Sequence, residues 1–300
     1  MTKLEITVSL VTNLIKEQFP EWADLTIKPV EAGGHDNRTF RLGNERLVRM
    51  PSAAEYAQKV TKEQHWLPKL APYLSLPIPM PIAIGKPSKD YPWNWSVYRW
   101  IEGTSANTQS LTDKNLQHIA LQLANFLNEL QKIDISDSPL LPGLHNFWRG
   151  SHPSVYDADA RKYIIKLQDI IDAKAAASVW EKAISSKWNK IPVWIHGDLT
   201  SGNFLLKDGK LAAVIDFGGT AVGDPACDLV IAWTFLKKES REIFKRNLNL
   251  DSDTWARARG WALWKACFEL TELKDKKILE ASKHIQIISA VINEHKFGNE

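Results

Sequence analysis

The sequence predicts an α+β protein with two lobes, the first rich in strands and the second mainly helical. The chain has 300 residues, which is more than one small core comfortably fills. Short β-leaning segments separated by Gly or Asn occupy its first third. After Gly103 apolar residues recur at intervals of three and four, the spacing of an amphipathic helix. We therefore place the lobes at residues 1-102 and 103-300, with a hinge near residues 98-103.

Local patterns predict the elements of the first lobe in order. The N-terminal segment is predicted to form a helix and not a signal peptide. Its apolar residues have helical spacing, and charged residues lie between them. These residues are Val8, Val11, Leu14, Ile15 and Phe19. The next strands are predicted at TIKPVEAGG, TFRLGN and RLVRMP. A helix follows from Tyr56 to Leu70, and the proline-rich, extended segment LPIPMPIAIG leads into WSVYRWIEG.

The second lobe is predicted to be helical, with one strand-rich insert. Residues 116-130 and 154-188 have helical periodicity, and the pattern is helical again from Asp224 to the end. Between them, the Asp208-Gly209 pair separates two apolar runs, which is the strongest short signal for a tight hairpin.

Composition excludes several classes of protein. Hydrophobic residues make up 44% and charged residues 24%, as in ordinary globular proteins. The net charge of +3 is too weak for a dedicated nucleic-acid surface, and no apolar stretch approaches the length of a membrane span. Cys227 and Cys267 form neither a disulfide framework nor a CxxC metal pattern. We expect a cytoplasmic protein that binds neither nucleic acid nor membrane.

The segment HGDLTSGN, residues 196-203, is a polar loop between the apolar runs VWI and FLL. A loop that only connects two strands needs only turn residues. This loop also carries His196, Asp198 and Asn203, whose positions are fixed by a rigid strand on each side. Such loops commonly carry binding and catalytic residues. We therefore interpret this loop as part of a functional site.

The predicted hairpin brings a second acidic residue towards this loop. Asn203 begins the first strand and Asp216 ends the second, so we expect the two side chains to converge. Carboxylate and amide oxygens are hard ligands that suit Mg²⁺. Asp198 is then available to accept a proton.

The order HGDLTSGN and then IDFGG resembles the catalytic and metal motifs of the aminoglycoside phosphotransferase family, a branch of the protein-kinase-like fold. The resemblance implies a small N-terminal lobe with an antiparallel sheet and one main helix, and a larger, mainly helical C-terminal lobe. It implies that Asp198 takes the proton of the acceptor hydroxyl, and that Asn203 and Asp216 hold Mg²⁺ against the phosphates of ATP, with GTP as the alternative nucleotide. We interpret His196 as a residue that braces the loop.

The same resemblance assigns residues 1-102 to nucleotide binding and residues 103-300 to catalysis and substrate binding. The segment EAGGHDNRTF would cover the phosphates, because Gly33 and Gly34 allow the backbone to approach them. Asn37 or His35 would lie near the phosphates; a plain hairpin turn is the alternative for His35.

In the next strand, Arg49 stands where kinases carry Lys. Arg keeps the charge, but its planar fork differs in geometry from an ammonium group. Its expected partner is Glu63, and an ordinary surface ion pair is the alternative reading. The segment WSVYRWIEG resembles the hinge between the lobes of this fold. This hinge-like segment would bind adenine through backbone groups near Arg99 and Ile101, with Tyr98 packing at the back of the pocket.

The segment after Asp216 decides between small and large acceptors. Only eight residues later, Asp224 and Pro225 provide a capping carboxylate and a first-turn proline, which predict the start of a helix. No room remains for the peptide-binding activation segment of a protein kinase. Asp228, early in this helix, either braces the catalytic loop or contacts the substrate.

The acceptor is expected between the catalytic loop and the helices of the second lobe. The candidate lining segments are HNFWRG (145-150), SVYDADAR (154-161) and WARARGWALWKACFEL (255-270). Aminoglycosides are polycations, so their pocket needs carboxylates, and a solvated helix face is the alternative for each acidic residue. The candidates are Asp157, Asp159 and Glu269. Trp255, Trp261 and Trp264 are expected mostly in the core, although one of them can stack on a sugar or macrolide ring.

These observations predict an ATP-dependent small-molecule O-phosphotransferase with an aminoglycoside-like acceptor. A kinase for macrolides or metabolite alcohols is the alternative within the family, and a nucleotide-binding pseudoenzyme is the alternative outside it. An acidic cleft would favour a polycation and an apolar cleft a macrolide. The expected partners are a nucleotide and a small-molecule alcohol, bound by a monomer or weak dimer.

Overall fold

The computed structural model describes residues 4–30, 36–138, 140–274 and 279–298. Gly33, Gly34 and His35, three residues predicted near the phosphates, lie outside the described residues. The chain forms two compact units. The first unit contains Met1–Thr104, Phe204–Lys207 and Ala212–Gly218, and the second contains Ser105–Asn203, Asp208–Leu211 and Gly219–Glu300.

Helices and strands alternate early in the chain, and helices dominate later. The α-helices are α1 (Val8–Gln18), α2 (Ala54–Leu70), α3 (Asp113–Lys132), α4 (Asp157–Lys166), α5 (Ala173–Ser185), α6 (Ile231–Thr234), α7 (Lys238–Arg246), α8 (Ser252–Glu272) and α9 (Leu279–Phe297). The strands are β1 (Ile27–Pro29), β2 (Asn37–Leu42), β3 (Arg46–Pro51), β4 (Pro81–Gly85), β5 (Trp95–Arg99), β6 (Thr104–Ser105), β7 (Val193–Ile195), β8 (Phe204–Lys207), β9 (Lys210–Val214) and β10 (Ala221–Gly223).

The first unit is built on a five-stranded antiparallel sheet with the order β1-β2-β3-β5-β4. The opening helix α1 buries Val11, Leu14 and Ile15 in the same core as Val48 and Trp95 of the sheet. Burying side chains of this size stabilises the fold by about 1.5–3 kcal/mol each. The helix predicted from the apolar spacing at the N-terminus is therefore present, and three of the predicted apolar residues are buried.

Strand β3 is internal to this sheet and presents Arg49 between its two neighbours. Arg49 is opposite Thr39 of β2 and Ser96 of β5. An internal strand is hydrogen-bonded on both sides, so the position of Arg49 is fixed by the sheet itself.

The second unit packs its helices around α8. This helix lacks a polar face over most of its length, and such helices lie in the interior of a protein. It packs on α4, α5 and α9. Asp251 caps its N-terminus by accepting a hydrogen bond from Thr254 N at 2.8 Å.

The turn signals in the sequence are confirmed. Asp208 and Gly209 have φ values of 51° and 72°, the left-handed pair that a two-residue type I′ turn requires. Asp224 Oδ1 accepts from Ala226 N at 3.0 Å, and Pro225 opens a short 3-10 helix that leads into α6. In the described part of the chain, every helix is too short or too polar to cross a lipid bilayer.

Candidate functional site

The polar loop after β7 is fixed at its start by a buried carboxylate. Asp228 Oδ2 accepts from His196 N and Oδ1 accepts from Gly197 N, each at 2.7 Å. Burial raises the pKa of Asp228, while His196 and the two backbone N–H groups act against this shift. Both oxygens of Asp228 are thus engaged with the loop backbone, which is the contact expected of a bracing residue.

Close packing against the backbone near Gly219 also fixes the start of the polar loop. Gly197 has φ 84°, and a Cβ at this position would lie 2.1 Å from the carbonyl oxygen of Gly219. Thr220 Oγ1 donates to Ile195 O at 2.6 Å, and β7 pairs antiparallel with β10. Only glycine fits at Gly197, because any side chain would push the two segments apart.

His196 is fully buried and contributes to the position of the next carboxylate. Its Nδ1 accepts from the backbone N–H of Asp198 at 3.3 Å. The imidazole therefore holds the loop and does not face solvent.

Asp198 and Asn203 are the two residues of this loop whose side chains contact each other. Asn203 Nδ2 donates to Asp198 O at 2.8 Å and to Asp198 Oδ2 at 3.1 Å. Lys265 Nζ of α8 lies 3.6 Å from Asp198 Oδ1. The Asp198 side chain is 46% exposed, so its carboxylate is accessible to an incoming alcohol. A carboxylate placed in this way can accept a proton in a general-base step.

A small cleft that is open to solvent lies beside Asp198 in the second unit. We call it the acceptor cleft. Its lining residues are Arg149, Gly197, Asp198, Leu199, Thr200, Cys227, Val230, Trp261, Trp264 and Lys265. The guanidinium of Arg149 lies over both tryptophan rings, at 5.4 Å from Trp261 and 5.3 Å from Trp264. Tyr156 stacks on Trp264 with a centroid distance of 4.0 Å.

The acidic residues predicted to contact a polycation lie in other surroundings. Asp157 Oδ1 accepts from Trp180 Nε1 at 2.7 Å and from Arg161 Nε at 2.9 Å. The hydrogen bond from Trp180 lowers the pKa of Asp157, with Arg161 adding to the effect. Glu269 Oε2 lies 3.3 Å from His284 Nδ1. Asp159 is half-buried in the first turn of α4. A contact of these residues with an acceptor stays a prediction.

In the first unit, Arg49 links two carboxylates. Its Nη1 lies 3.1 Å from Glu63 Oε1, and its Nη2 lies 2.7 Å from Asp216 Oδ1. Burial alone would lower the pKa of Arg49, but Asp216 and Glu63 together raise it above its usual value. The guanidinium is therefore permanently charged, and the predicted Arg49–Glu63 partnership is present. Asp216 itself has φ 64°, a left-handed conformation that is uncommon for a residue with a side chain.

Two further predicted residues complete this cluster. Tyr98 is buried and its hydroxyl donates to Glu63 Oε2 at 2.6 Å. The Asn37 amide oxygen, in the orientation that satisfies both groups, accepts from Arg49 Nε and Nη2 at 3.1 Å. Tyr98 and Asn37 therefore orient the ion pair, a role that the sequence did not indicate.

The hinge-like segment begins where β5 ends. The backbone N–H of Arg99 donates to Met80 O at 2.9 Å, and the side chain of Arg99 is exposed. Ile101 is half-buried beyond the strand. Their predicted contacts with adenine stay predictions.

Sequence reasoning missed Lys62. It included Arg149 and Lys265 in its candidate lining segments but did not single them out. Lys62 Nζ donates to Gly218 O at 2.5 Å, and burial lowers its pKa to about 8. Arg149 and Lys265 reach the acceptor cleft from separate segments. The spacing of Trp261, Trp264 and Lys265 was the available signal, because residues three and four apart share one helix face.

Among the described residues, no group of three or more His, Cys, Asp or Glu side chains could hold a metal ion. The predicted Mg²⁺ ligands are only two residues, one carboxylate and one amide, and do not form such a group. Asp216 belongs to the first unit and Asn203 to the second. Both supply hard oxygen atoms, and Mg²⁺ bound with substrate phosphates commonly takes only one or two protein carboxylates. The donor chemistry therefore fits the ion.

Comparison with known proteins gives one family match. The model of the phosphotransferase enzyme family (APH) matches residues 26–261. Hygromycin-B 4-O-kinase of Escherichia coli is 23% identical over 235 residues, which are 75% of this chain and 66% of that enzyme. The match thus spans slightly less than two thirds of the relative's own length.

Solved structures share the fold over nearly the whole chain. The GDP and kanamycin complex of APH(2")-IIia has a TM-score of 0.67 at 20% identity and covers 97% of this chain and 99% of that chain. The GDP complex of aminoglycoside 2'-phosphotransferase-IIIa gives 0.68 at 20%, with 95% and 98% covered. Macrolide 2'-phosphotransferase MphH from Brachybacterium faecium gives 0.62 at 18%, with 94% and 98% covered. The predicted protein-kinase-like α+β fold is confirmed.

Proposed function

The chain belongs to the phosphotransferase enzyme family, and from this membership we propose that it transfers the γ-phosphate of ATP to a hydroxyl of a small-molecule, antibiotic-like acceptor. The prediction of this family and of a phosphotransferase enzyme is confirmed by the match over residues 26–261. The observation that carries the proposal is the exposed carboxylate of Asp198, on a loop braced by Asp228 and next to a cleft.

In the proposed reaction the acceptor oxygen attacks the γ-phosphorus and forms a new O–P bond. The bond between that phosphorus and the β–γ bridging oxygen breaks, and ADP leaves with its electron pair. The hydroxyl proton moves to the Asp198 carboxylate and then to solvent. Orientation of the alcohol supplies much of the rate enhancement, because the protein forms no covalent bond to the phosphoryl group and acts mainly by positioning the reactants.

We propose that residues 1-102 bind the nucleotide and residues 103-300 carry catalysis and acceptor binding. ATP is the proposed donor, and GTP is the alternative because two of the related structures contain GDP. Arg49 would donate to the phosphates, with Glu63 and Asn37 fixing its orientation. The other proposed nucleotide contacts are Gly33, Gly34, Tyr98, Arg99 and Ile101.

Asn203 and Asp216 would hold Mg²⁺. When bound, the ion would neutralise charge on the transferring phosphoryl group. The support for these two residues is donor chemistry together with the D-x-x-x-x-N and D-F-G motifs that contain them.

The names of the relatives give two acceptor candidates, aminoglycosides and macrolides. The decisive experiment incubates purified protein with Mg-ATP and aminoglycosides, macrolides or metabolite alcohols, and detects the phosphorylated product by mass. We expect one alcohol class to gain a phosphoryl group, and Asp198→Asn to abolish this product. A protein that binds ATP but phosphorylates no alcohol would instead be the pseudoenzyme.

A further inference from the structure

The acceptor cleft has the wrong charge for a polycation. Its described lining contains two cationic side chains, Arg149 and Lys265, and one carboxylate, that of Asp198. Burial raises the pKa of the Cys227 thiol well above its usual value, so this lining residue adds no negative charge. An amine that entered beside Asp198 would therefore meet two positive groups at short range, where like charges repel strongly.

Three residues of the lining also carry hydrogen-bond donors that lack an acceptor. Arg149 Nη1, Trp261 Nε1 and Trp264 Nε1 are buried and have no hydrogen-bond partner among the described residues. All three atoms can only donate. Buried polar groups normally find a partner, and a ligand that supplies acceptors would satisfy donors that the lining residues leave unpaired.

The carboxylates that a polycation would need lie elsewhere. Asp157, Asp159 and Glu269 are not among the lining residues of the cleft. Asp157 is engaged by Trp180 and Arg161, and Glu269 lies beside His284. Among the described lining residues of the cleft, positive charges therefore outnumber negative ones by two to one.

The cationic groups are also placed where an acceptor must enter. Lys265 Nζ is 3.6 Å from Asp198 Oδ1, so a group that reaches Lys265 is within reach of the proposed base. Arg149 is held over the rings of Trp261 and Trp264, which keep the guanidinium in one orientation. A fixed guanidinium is well suited to bind an oxyanion through paired hydrogen bonds.

We propose that the acceptor of this enzyme is an acidic alcohol, whose carboxylate or phosphate binds Arg149 and Lys265 while its hydroxyl faces Asp198. This inference rests on the proposed function and specifies the substrate class of the same site. It replaces the expected polycation by an anion, and it makes Arg149 the residue that selects the acceptor.

The test compares alcohols that share a carbon skeleton and differ in charge. Glucuronate, glucose and glucosamine are acidic, neutral and basic members of one set, and kanamycin is the polycationic reference. Binding is measured by calorimetry, and phosphorylation by product mass, for wild type, Arg149→Gln, Arg149→Lys and Arg246→Gln. Arg246 is an exposed arginine of α7 outside the cleft and serves as the matched control. Thermal unfolding verifies that each variant is folded.

We expect glucuronate to bind and to be preferred over glucosamine by about tenfold or more, the size of one charged hydrogen bond. Arg149→Gln should remove this preference, Arg149→Lys should restore part of it, and Arg246→Gln should leave it unchanged. The inference is overturned if no acid binds, if glucosamine or kanamycin is preferred, or if the acid preference persists in Arg149→Gln.

The outcomes separate the inference from the proposed function. If kanamycin is phosphorylated and glucuronate does not bind, the phosphotransferase stands and the acidic acceptor is wrong. If glucuronate binds through Arg149 and no alcohol is ever phosphorylated, the anion site stands and the proposed function fails.

Discussion

Arg49 Nη2 lies 2.7 Å from Asp216 Oδ1, although 167 positions separate the two residues in the chain. The residue that stands in place of the kinase lysine thus contacts the proposed metal ligand, and its other nitrogen contacts Glu63. A lysine has a single ammonium group, whereas the planar guanidinium can reach both carboxylates at once.

We predict that Arg49→Ala lowers kcat/KM about 100-fold, and that Arg49→Lys lowers it about tenfold. A hydrogen bond to a charged group is worth about 1.5–3 kcal/mol, and the alanine variant loses more than one while leaving buried Glu63 without its ion-pair partner. Steady-state rates for the three proteins test this order. Full activity in Arg49→Ala would mean that another residue donates to the phosphates.

Asp198→Asn should abolish turnover and leave nucleotide affinity nearly unchanged. The amide keeps the size of the side chain but cannot accept the hydroxyl proton, and loss of a general base costs about 10²- to 10⁴-fold in rate. Turnover and nucleotide affinity are measured on the same preparation. A variant with wild-type kcat would exclude Asp198 from the proton transfer.

Asp228→Asn should reduce kcat without changing the KM for ATP. Asp228 accepts from both His196 N and Gly197 N, and an amide offers only one acceptor, so one buried N–H loses its partner. Such a loss costs about 1–3 kcal/mol of folding stability. Asp253→Asn, an exposed acid on α8, is the control for the removal of one negative charge. Equal effects of the two substitutions on kcat would argue against the bracing role.

Asp251 should make the unfolding free energy depend on pH in acid. Burial would raise its pKa, but hydrogen bonds from Lys190 and Thr254 outweigh burial and lower the pKa to about 2. The folded-state value lies below the usual value of about 3.9, so this stabilisation is complete above about pH 4 and is lost as the pH falls through about 2.

Asp251→Asn isolates this contribution, because asparagine caps a helix as well as aspartate and does not titrate. Denaturant unfolding between pH 2 and 6 should show the wild type more stable than the variant at pH 6, with the difference shrinking towards pH 2. Parallel pH profiles for the two proteins would contradict the assignment.

Local signals in the sequence predicted much of the structure, because each depends on a few neighbouring residues. The Asp208-Gly209 turn, the cap at Asp224 and the apolar face of α1 are examples. The family resemblance likewise predicted the Arg49–Glu63 contact, which the structure contains. These features need only short-range geometry or a known motif.

The contacts that define the acceptor cleft were not predictable in the same way. Lys265 meets Asp198, and Arg149 lies over Trp261, only because helices and loops from distant parts of the chain pack together. The sequence placed acidic residues near the acceptor on the expectation of a polycation. Side-chain partners across a core depend on packing that no local pattern records.

Trp261, Trp264 and Lys265 lie on one face of α8. The loop that carries Asp198, in contrast, cannot accept a substitution at Gly197. The loop backbone tolerates no side chain at Gly197, but the three positions on α8 can vary without altering any residue assigned to the nucleotide or the metal. A lineage, or a laboratory selection, can therefore exchange one alcohol for another through a few codons, at Arg149 and on this face of α8, while the residues assigned to the nucleotide and the metal are inherited unchanged.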